Sequence, residues 1–363
     1  MECAQKAGRI NDGVTRLKDR LKAMIQSSGP LPVAAYMDLC LHDRQHGYYA
    51  TRPGLGRDFI TAPEISQVFG ELIGLWLAQE WQSLGAPKRF NLVEVGPGRG
   101  TLMRDALRAV RSVDGFLEAA QLNFVEASPV LRAHLAETFA PNSPVFLEQL
   151  DDVETDLPVL IVANEWLDCL PVQQYVRAGE AWHERVVGLS ETDDLAFGLS
   201  DQAAPFHPDI PEDQSDLELQ PGLKTLVELM DRLLNDTPGR ALLIDYGTTG
   251  AAPGDTLRAY QRGNQIDPLL APGESDLTCD VDFGRLKRLA DAQSLASYGP
   301  VSQSRFLLAL GAEMRLNQLA SAHPDQAGEL YAGVKRLVDP SDMGERFQVI
   351  CLSSPDLASP AAF

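Results

Sequence analysis

Positive charge is what this 363-residue chain most lacks: 31 Lys and Arg stand against 51 Asp and Glu, a formal net charge of −20. Such a surface repels phosphate backbones and anionic lipid at long range. No local basic patch relieves it, so nucleic acid is excluded as the main partner and cationic partners are favoured. Cysteine is also scarce. The five, Cys3, Cys40, Cys169, Cys279 and Cys351, form no CxxC and no short repeat, which removes a zinc site or disulfide framework and fits a reducing compartment. Long apolar runs are missing as well. The most hydrophobic stretch, Val68 to Ala78, is broken by Glu71 and two glycines and falls short of the ~20 residues a bilayer span needs. The N-terminal MECAQKAGRINDGVTRLKDR has no signal-peptide core, and Glu2, Asp12 and Asp19 argue against a mitochondrial transit peptide. Together these absences predict a cytoplasmic protein with no membrane insertion.

What is present is an ordinary globular composition, 44% hydrophobic and 23% charged, long enough for two or three units. Val14, Leu17, Leu21 and Ile25 recur at helical spacing before a Gly29-Pro30 stop, and Pro32 opens a second helix to about Asp43. From about Glu64 to Ser83 the spacing predicts one long buried helix in which Trp76 and Trp81 are core. From Phe90 short apolar strands alternate with amphipathic helices, the pattern of a parallel α/β sheet. The predicted strands are Asn91 to Val95, Leu122 to Glu126, Val145 to Leu147, Val159 to Ala163, Ala241 to Asp245 and Phe347 to Leu352. Helices are predicted over Thr101 to Arg111 and Ser128 to Phe139, the latter with a Ser N-cap followed by Pro. After Pro171 the alternation fails and hairpins follow. The expected organisation is a helical extension (1–55), a core (56–171 and 238–363) and an inserted hairpin and helical subdomain (172–237). Much of the acidity lies in that insertion, around Asp193-Asp194 and Glu212 to Glu218, and reads as a docking surface for a basic segment.

The sharpest local signal is Leu92-Val93-Glu94-Val95-Gly96-Pro97-Gly98-Arg99-Gly100-Thr101, a hydrophobic strand entering a glycine turn and then a helix. Glycines admit close ligand approach, and the helix N-terminus, with Thr101 as its first residue, offers free amides to a carboxylate or phosphate. The spacing Gly96, Gly98, Gly100 differs from the G-x-G-x-x-G of nicotinamide sites. Glu94 suits a ligand ammonium and would repel a pyrophosphate, and Glu126, ending the next strand, suits a pair of ribose hydroxyls. An amino acid fused to a nucleoside meets both demands, which describes S-adenosylmethionine.

A second constellation is Asn164-Glu165-Trp166-Leu167-Asp168-Cys169, at the carboxyl end of an apolar strand, where open α/β sheets place their sites. Glu165 and Asp168 would share a face if a helical turn follows, and such a pair can grip a guanidinium. Acidic residues also favour helix N-termini without any ligand, and spacing alone leaves both readings open. Asp245-Tyr246-Gly247 either lines the acceptor side or merely ends its strand. His42 and His46 lie four apart but lack a third ligand, which favours a solvated helix end over a metal site.

Read together, DFITAPEISQVFGELIGLW, LVEVGPGRGTL, ANEWLDCLPVQQ, LLIDYG, PGESDLT and MGERFQV resemble, in order and from about Gly47 to Leu352, the MidA family of S-adenosylmethionine-dependent methyltransferases. That family includes the mitochondrial complex I assembly factor that dimethylates an arginine of a respiratory-chain subunit. The resemblance implies an α/β class I methyltransferase (Rossmann-like) fold: a seven-stranded sheet with an antiparallel last hairpin. It implies S-adenosyl-L-methionine held by Glu94, Gly96, Gly98, Gly100, Thr101, Glu126, Thr61 and Asn164, catalysis by Glu165, Asp168 and Glu64, and a protein substrate with a basic segment, such as a complex I subunit. The chain departs from the family pattern at Arg57, where a glycine is expected, at Trp166-Leu167-Asp168-Cys169 in place of Phe-Phe-Asp-Ala, and at Tyr260 to Gly263, which lacks a histidine. A small-molecule methyltransferase and a non-catalytic assembly factor are the competing readings. The intact glycine turn and its two carboxylates disfavour the second.

Overall fold

The structure is a computed structural model, and it describes residues 12–51, 60–206, 214–250 and 254–363. Arg57, and Glu212 and Asp213 of the acidic stretch, lie outside the described residues. The chain divides into two compact units, one drawn from Met1–Phe59, Cys169–Gly222 and Ala251–Asp280, the other from Ile60–Asp168, Leu223–Gly250 and Val281–Phe363.

The second unit is built on β1 (Phe90–Val95), β2 (Ala120–Val125), β3 (Val145–Leu147), β4 (Val159–Asn164), β5 (Gly239–Thr248), β6 (Ala296–Ser302) and β7 (Phe347–Ser353). Their order across the sheet is β3-β2-β1-β4-β5-β7-β6, with a two-residue strand, Val281–Asp282, added at the end of β5. The first five strands run parallel, and β7 enters antiparallel between β5 and β6. This is the seven-stranded class I sheet that the resemblance implied. Side chains of β1 are buried throughout and those of β4 up to its last residue, as expected of central parallel strands covered on both faces. β6 is absent from the strands drawn from residues alone because its sequence, ASYGPVS, carries Gly299-Pro300. An edge strand tolerates a proline where its ladder is interrupted, and the register does shift between Tyr298 and Val301.

The predicted long helix is two. α1 (Ala62–Ile65) ends where Ser66 turns extended, φ −154°, and the Ser66 hydroxyl caps α2 (Gln67–Ser83) by accepting from Val68 N–H at 3.3 Å. α2 packs beside α3 (Thr101–Ala109), and α4 (Pro129–Thr138) starts at the predicted Ser128 cap. Trp76 and Trp81 are buried, each indole N–H finding a carbonyl, Ala361 at 3.2 Å and Pro87 at 3.0 Å.

The first unit carries the helices Asp12–Ser28 and Val33–His42 and an antiparallel sheet of Leu31–Pro32, Gln173–Ala178, Ala181–Leu189, Leu195–Ala203 and Asp216–Leu219. His42 closes its helix and is exposed, its ring stacked on Tyr49 with centroids 5.6 Å apart. The acidic docking surface expected from the sequence is partly spoken for. Asp193 and Asp194 pair with Lys22 at 2.9 Å and Lys18 at 3.2 Å, and Glu218 is buried, accepting from Gln174 and Thr256.

Candidate functional site

The second unit gathers most of the singled-out polar residues at the carboxyl ends of β1, β2, β4 and β5. β1 runs straight into the glycine turn, where Gly96, Gly98 and Gly100 take φ of +65°, +55° and +73°. That left-handed path is the reason for the glycines, since side chains there are strained. Gly100 also leaves no room: a Cβ on it would stand 2.5 Å from Phe139 Cε2. Its left-handed conformation starts α3, whose first residue, Thr101, is half-buried.

Glu94, next to last in β1, is 4% exposed, and its Oε2 has no hydrogen-bond partner among the described residues. Desolvation lifts its pKa well above the carboxylate range. Asn164, ending β4 one step beyond the Val95–Ala163 pair, likewise has a buried Oδ1 without a partner. Orphaned acceptors at a strand end are rare in a finished core and call for donors from a ligand. Glu126 follows β2, with one carboxylate oxygen accepting from Ser128 N–H at 2.7 Å. Burial raises its pKa against that bond and the charge of Arg132. An ammonium for Glu94, hydroxyls for Glu126 and a carboxylate for the amides at the start of α3 make a donor set that fits S-adenosylmethionine.

Glu165 follows β4 and is the one site carboxylate with a left-handed backbone, φ +51°. Its Oε1 accepts from Ala62 N–H at 2.8 Å and Asn164 Nδ2 at 3.0 Å. Burial raises its pKa to about 7; those two donors oppose the shift, and the charges of Asp168 and Glu64 add to it. The helical turn that was to bring Glu165 and Asp168 onto one face starts later, as a single 3₁₀ turn at Leu167–Cys169. Glu165 itself stands outside that turn, in the left-handed conformation, and feels the charge of Asp168. Asp168 is buried, and its Oδ2 accepts from the Tyr246 hydroxyl at 2.6 Å. Glu64 lies in the first turn of α1, 3.6 Å from Arg99 of the glycine turn, while Thr61 is the N-cap of α1 without a side-chain bond. Trp166 leans on the glycine turn, its Cδ1 2.9 Å from where a Cβ of Gly96 would be.

Sequence reasoning left Asp245 undecided. It is fully buried in β5, one residue past the last pair with β4 (Ile244–Asn164), and its Oδ2 accepts from the amides of Trp166 at 3.0 Å, Leu167 at 2.8 Å and Asp168 at 3.1 Å. The partners lie 77 to 79 residues upstream, a separation across which no spacing rule operates.

A parallel sheet of this order, with an acidic residue ahead of a glycine turn and a second one ending the neighbouring strand, defines a class I S-adenosylmethionine-dependent methyltransferase. A model of an S-adenosyl-L-methionine-dependent methyltransferase family matches residues 72–301, and the chain belongs to that family. It is 35% identical to the Drosophila melanogaster protein arginine methyltransferase NDUFAF7 homolog, mitochondrial, over 99% of this chain and 89% of that one. It is 35% identical to the human protein arginine methyltransferase NDUFAF7, mitochondrial, over 93% and 83%. Among solved structures it is similar to a Burkholderia thailandensis COG1565 superfamily member and likely methyl transferase bound to S-adenosyl-homocysteine, with a TM-score of 0.82 and 25% identity over 96% of this chain and 94% of that one. The chain is thus an S-adenosylmethionine-dependent methyltransferase. Both curated relatives carry mitochondrial names, and this overturns the cytoplasmic assignment. That assignment rested on absences, of paired cysteines, of a membrane-length apolar run, of a signal-peptide core and of a transit-like charge pattern, and absences do not decide a compartment.

Proposed function

We propose that the enzyme is a protein arginine N-methyltransferase acting on a basic segment of a protein substrate such as a respiratory complex I subunit. The observation that carries this is the carboxylate group beside the glycine turn: Glu165 and Asp168, with Glu64 close enough to Glu165 to raise its pKa. An arginine side chain is cationic at any working pH and a poor nucleophile. Carboxylates offset its charge and hold its planar fork in one orientation. Bound S-adenosylmethionine would supply an electrophilic methyl group, with Glu94, Glu126, Asn164 and the turn of Gly96, Gly98 and Gly100, extended by Thr101 and Thr61, as the residues that hold it.

Methylating a guanidinium nitrogen releases one proton. Glu165, with a pKa of about 7, is matched to accept it near neutrality. Ala62 N–H fixes one of its oxygens, leaving the carboxylate little rotational freedom. The curated relatives, named as protein arginine methyltransferases at 35% identity, support the choice of acceptor.

The test is incubation with methyl-labelled S-adenosylmethionine and a lysate from cells lacking the protein, followed by mass spectrometry of the labelled band. Methylarginine in a basic segment is the expected outcome. Label confined to small metabolites would favour a small-molecule acceptor and overturn the proposal. The variant Glu165→Gln should bind S-adenosylmethionine unchanged and incorporate no label, and retained turnover would remove Glu165 from the chemistry.

A further inference from the structure

We infer that Asp245 and Tyr246, consecutive residues of β5 just past its last pair with β4, are positioning residues that hold the turn Glu165–Asp168 in its working shape, Asp245 through the backbone and Tyr246 through a side chain. The inference rests on the proposed roles of Glu165 and Asp168. One oxygen of Asp245 collects three successive amides, those of Trp166, Leu167 and Asp168, at 2.8 to 3.1 Å, while its other oxygen accepts from Tyr246 N–H at 2.9 Å. Three convergent N–H groups on one oxygen require the chain to curl around it, as in the anion-binding nests that turns form. The residue just before the curl must reverse direction, and that residue is Glu165.

Its φ of +51° is therefore imposed by Asp245 on one side and by the ladder bond of Glu165 N–H to Ile244 O, 2.9 Å, on the other. A left-handed glutamate persists only where its surroundings over-determine it. The outcome is a carboxylate pinned between Ala62 N–H and Asn164 Nδ2. Tyr246 completes the arrangement by donating to Asp168 Oδ2 at 2.6 Å. Its ring is itself fixed edge-on against Phe347, centroids 5.5 Å apart, beneath the Arg346 guanidinium. Neighbouring residues of one strand thus set the two carboxylates proposed to receive the substrate cation, and Asp245, being fully buried, does so without touching it.

The test separates positioning from mere stability. Amide exchange in the purified enzyme without any substrate comes first. In Asp245→Asn the amides of Trp166, Leu167 and Asp168 should exchange about tenfold faster or more, while the core of β5 keeps its protection. A crystal structure of that variant should find Glu165 off its left-handed φ and its bond to Ala62 broken. Unchanged exchange and an unchanged Glu165 would overturn the inference. So would uniform acceleration over all of β5, which marks a structural role alone. Tyr246→Phe keeps the ring and loses only the hydroxyl. It should stay folded with a melting temperature lowered by about 5–10 °C at most, bind S-adenosylmethionine with the same Kd by calorimetry and transfer methyl to the labelled acceptor about tenfold more slowly. A Tyr246→Phe enzyme with wild-type kcat would remove Tyr246 from the inference. Because exchange, structure and cofactor binding need no acceptor, failure to methylate arginine would count against the proposed function and leave this test intact.

Discussion

Glu165 combines two properties that rarely coincide, a left-handed backbone of φ +51° and a carboxyl whose pKa burial lifts to about 7. The second makes its charge state a variable near neutrality. If the ionised form receives the proton, methyl transfer should rise with pH along an acid limb centred near 7, and Glu165→Gln should abolish the limb along with turnover. Stability should run the other way. The folded state holds its proton up to a higher pH than the unfolded chain does, so the stabilisation is complete below the ordinary glutamate range and is lost as pH rises through about 7. Urea unfolding at several pH values checks this: the wild type should lose stability across that window relative to Glu165→Gln. Gly98 offers a prediction of another kind. At φ +55° a β-branched side chain is strained and stands where a ligand would approach the turn. Gly98→Val should therefore show no heat of S-adenosylmethionine binding by calorimetry, and a normal titration would place the cofactor elsewhere.

At the scale of elements, α2 and β5 are joined by an ion pair that no apolar pattern announces. Arg240 and Glu80 are 0% and 1% exposed, and Arg240 donates to Glu80 and to the Ala358 carbonyl. The second Glu80 oxygen accepts from Ala361 N–H at 2.9 Å. Removing one partner strands a buried charge, so Glu80→Leu should cost about 3–5 kcal/mol in denaturant unfolding. Replacing both partners with leucine should recover most of that loss, because the pair itself repays little beyond its desolvation. The central strands were legible in the sequence because buried parallel strands are continuous apolar runs between turns. The donor half of the candidate site was legible for a related reason: Glu94, the glycine turn and Glu126 lie at strand ends, where geometry follows from local order. What stayed hidden either runs against the local pattern or depends on contacts distant in sequence. The break at Ser66 sits inside an unbroken helical periodicity, β6 is masked by its glycine and proline, and the acceptor half takes its shape from Asp245, far along the chain.

For the molecule as a whole, the −20 charge remains after its local pairings are counted. Asp193 and Asp194 are neutralised by Lys22 and Lys18, and Glu218 turns inward, so the expected acidic strip is weaker than its sequence reads. Internal pairing moves charges without changing their sum, and the long-range field follows the sum. The basic segment proposed as substrate should therefore be drawn in by a diffuse field more than by one patch. Such attraction is screened within a Debye length, about 10 Å at 0.1 M salt. S-adenosylmethionine, held by partners at contact distance, is screened far less. Raising salt from roughly 0.02 to 0.2 M should then increase KM for an arginine-containing basic segment several-fold, with kcat and the Kd for S-adenosylmethionine nearly unchanged. Single charge reversals in the hairpin at Asp193 or Asp194 should each move that KM only slightly, since neither residue dominates the sum. A KM insensitive to salt would instead mean that recognition is short-ranged and confined to the carboxylates of the 165–168 turn.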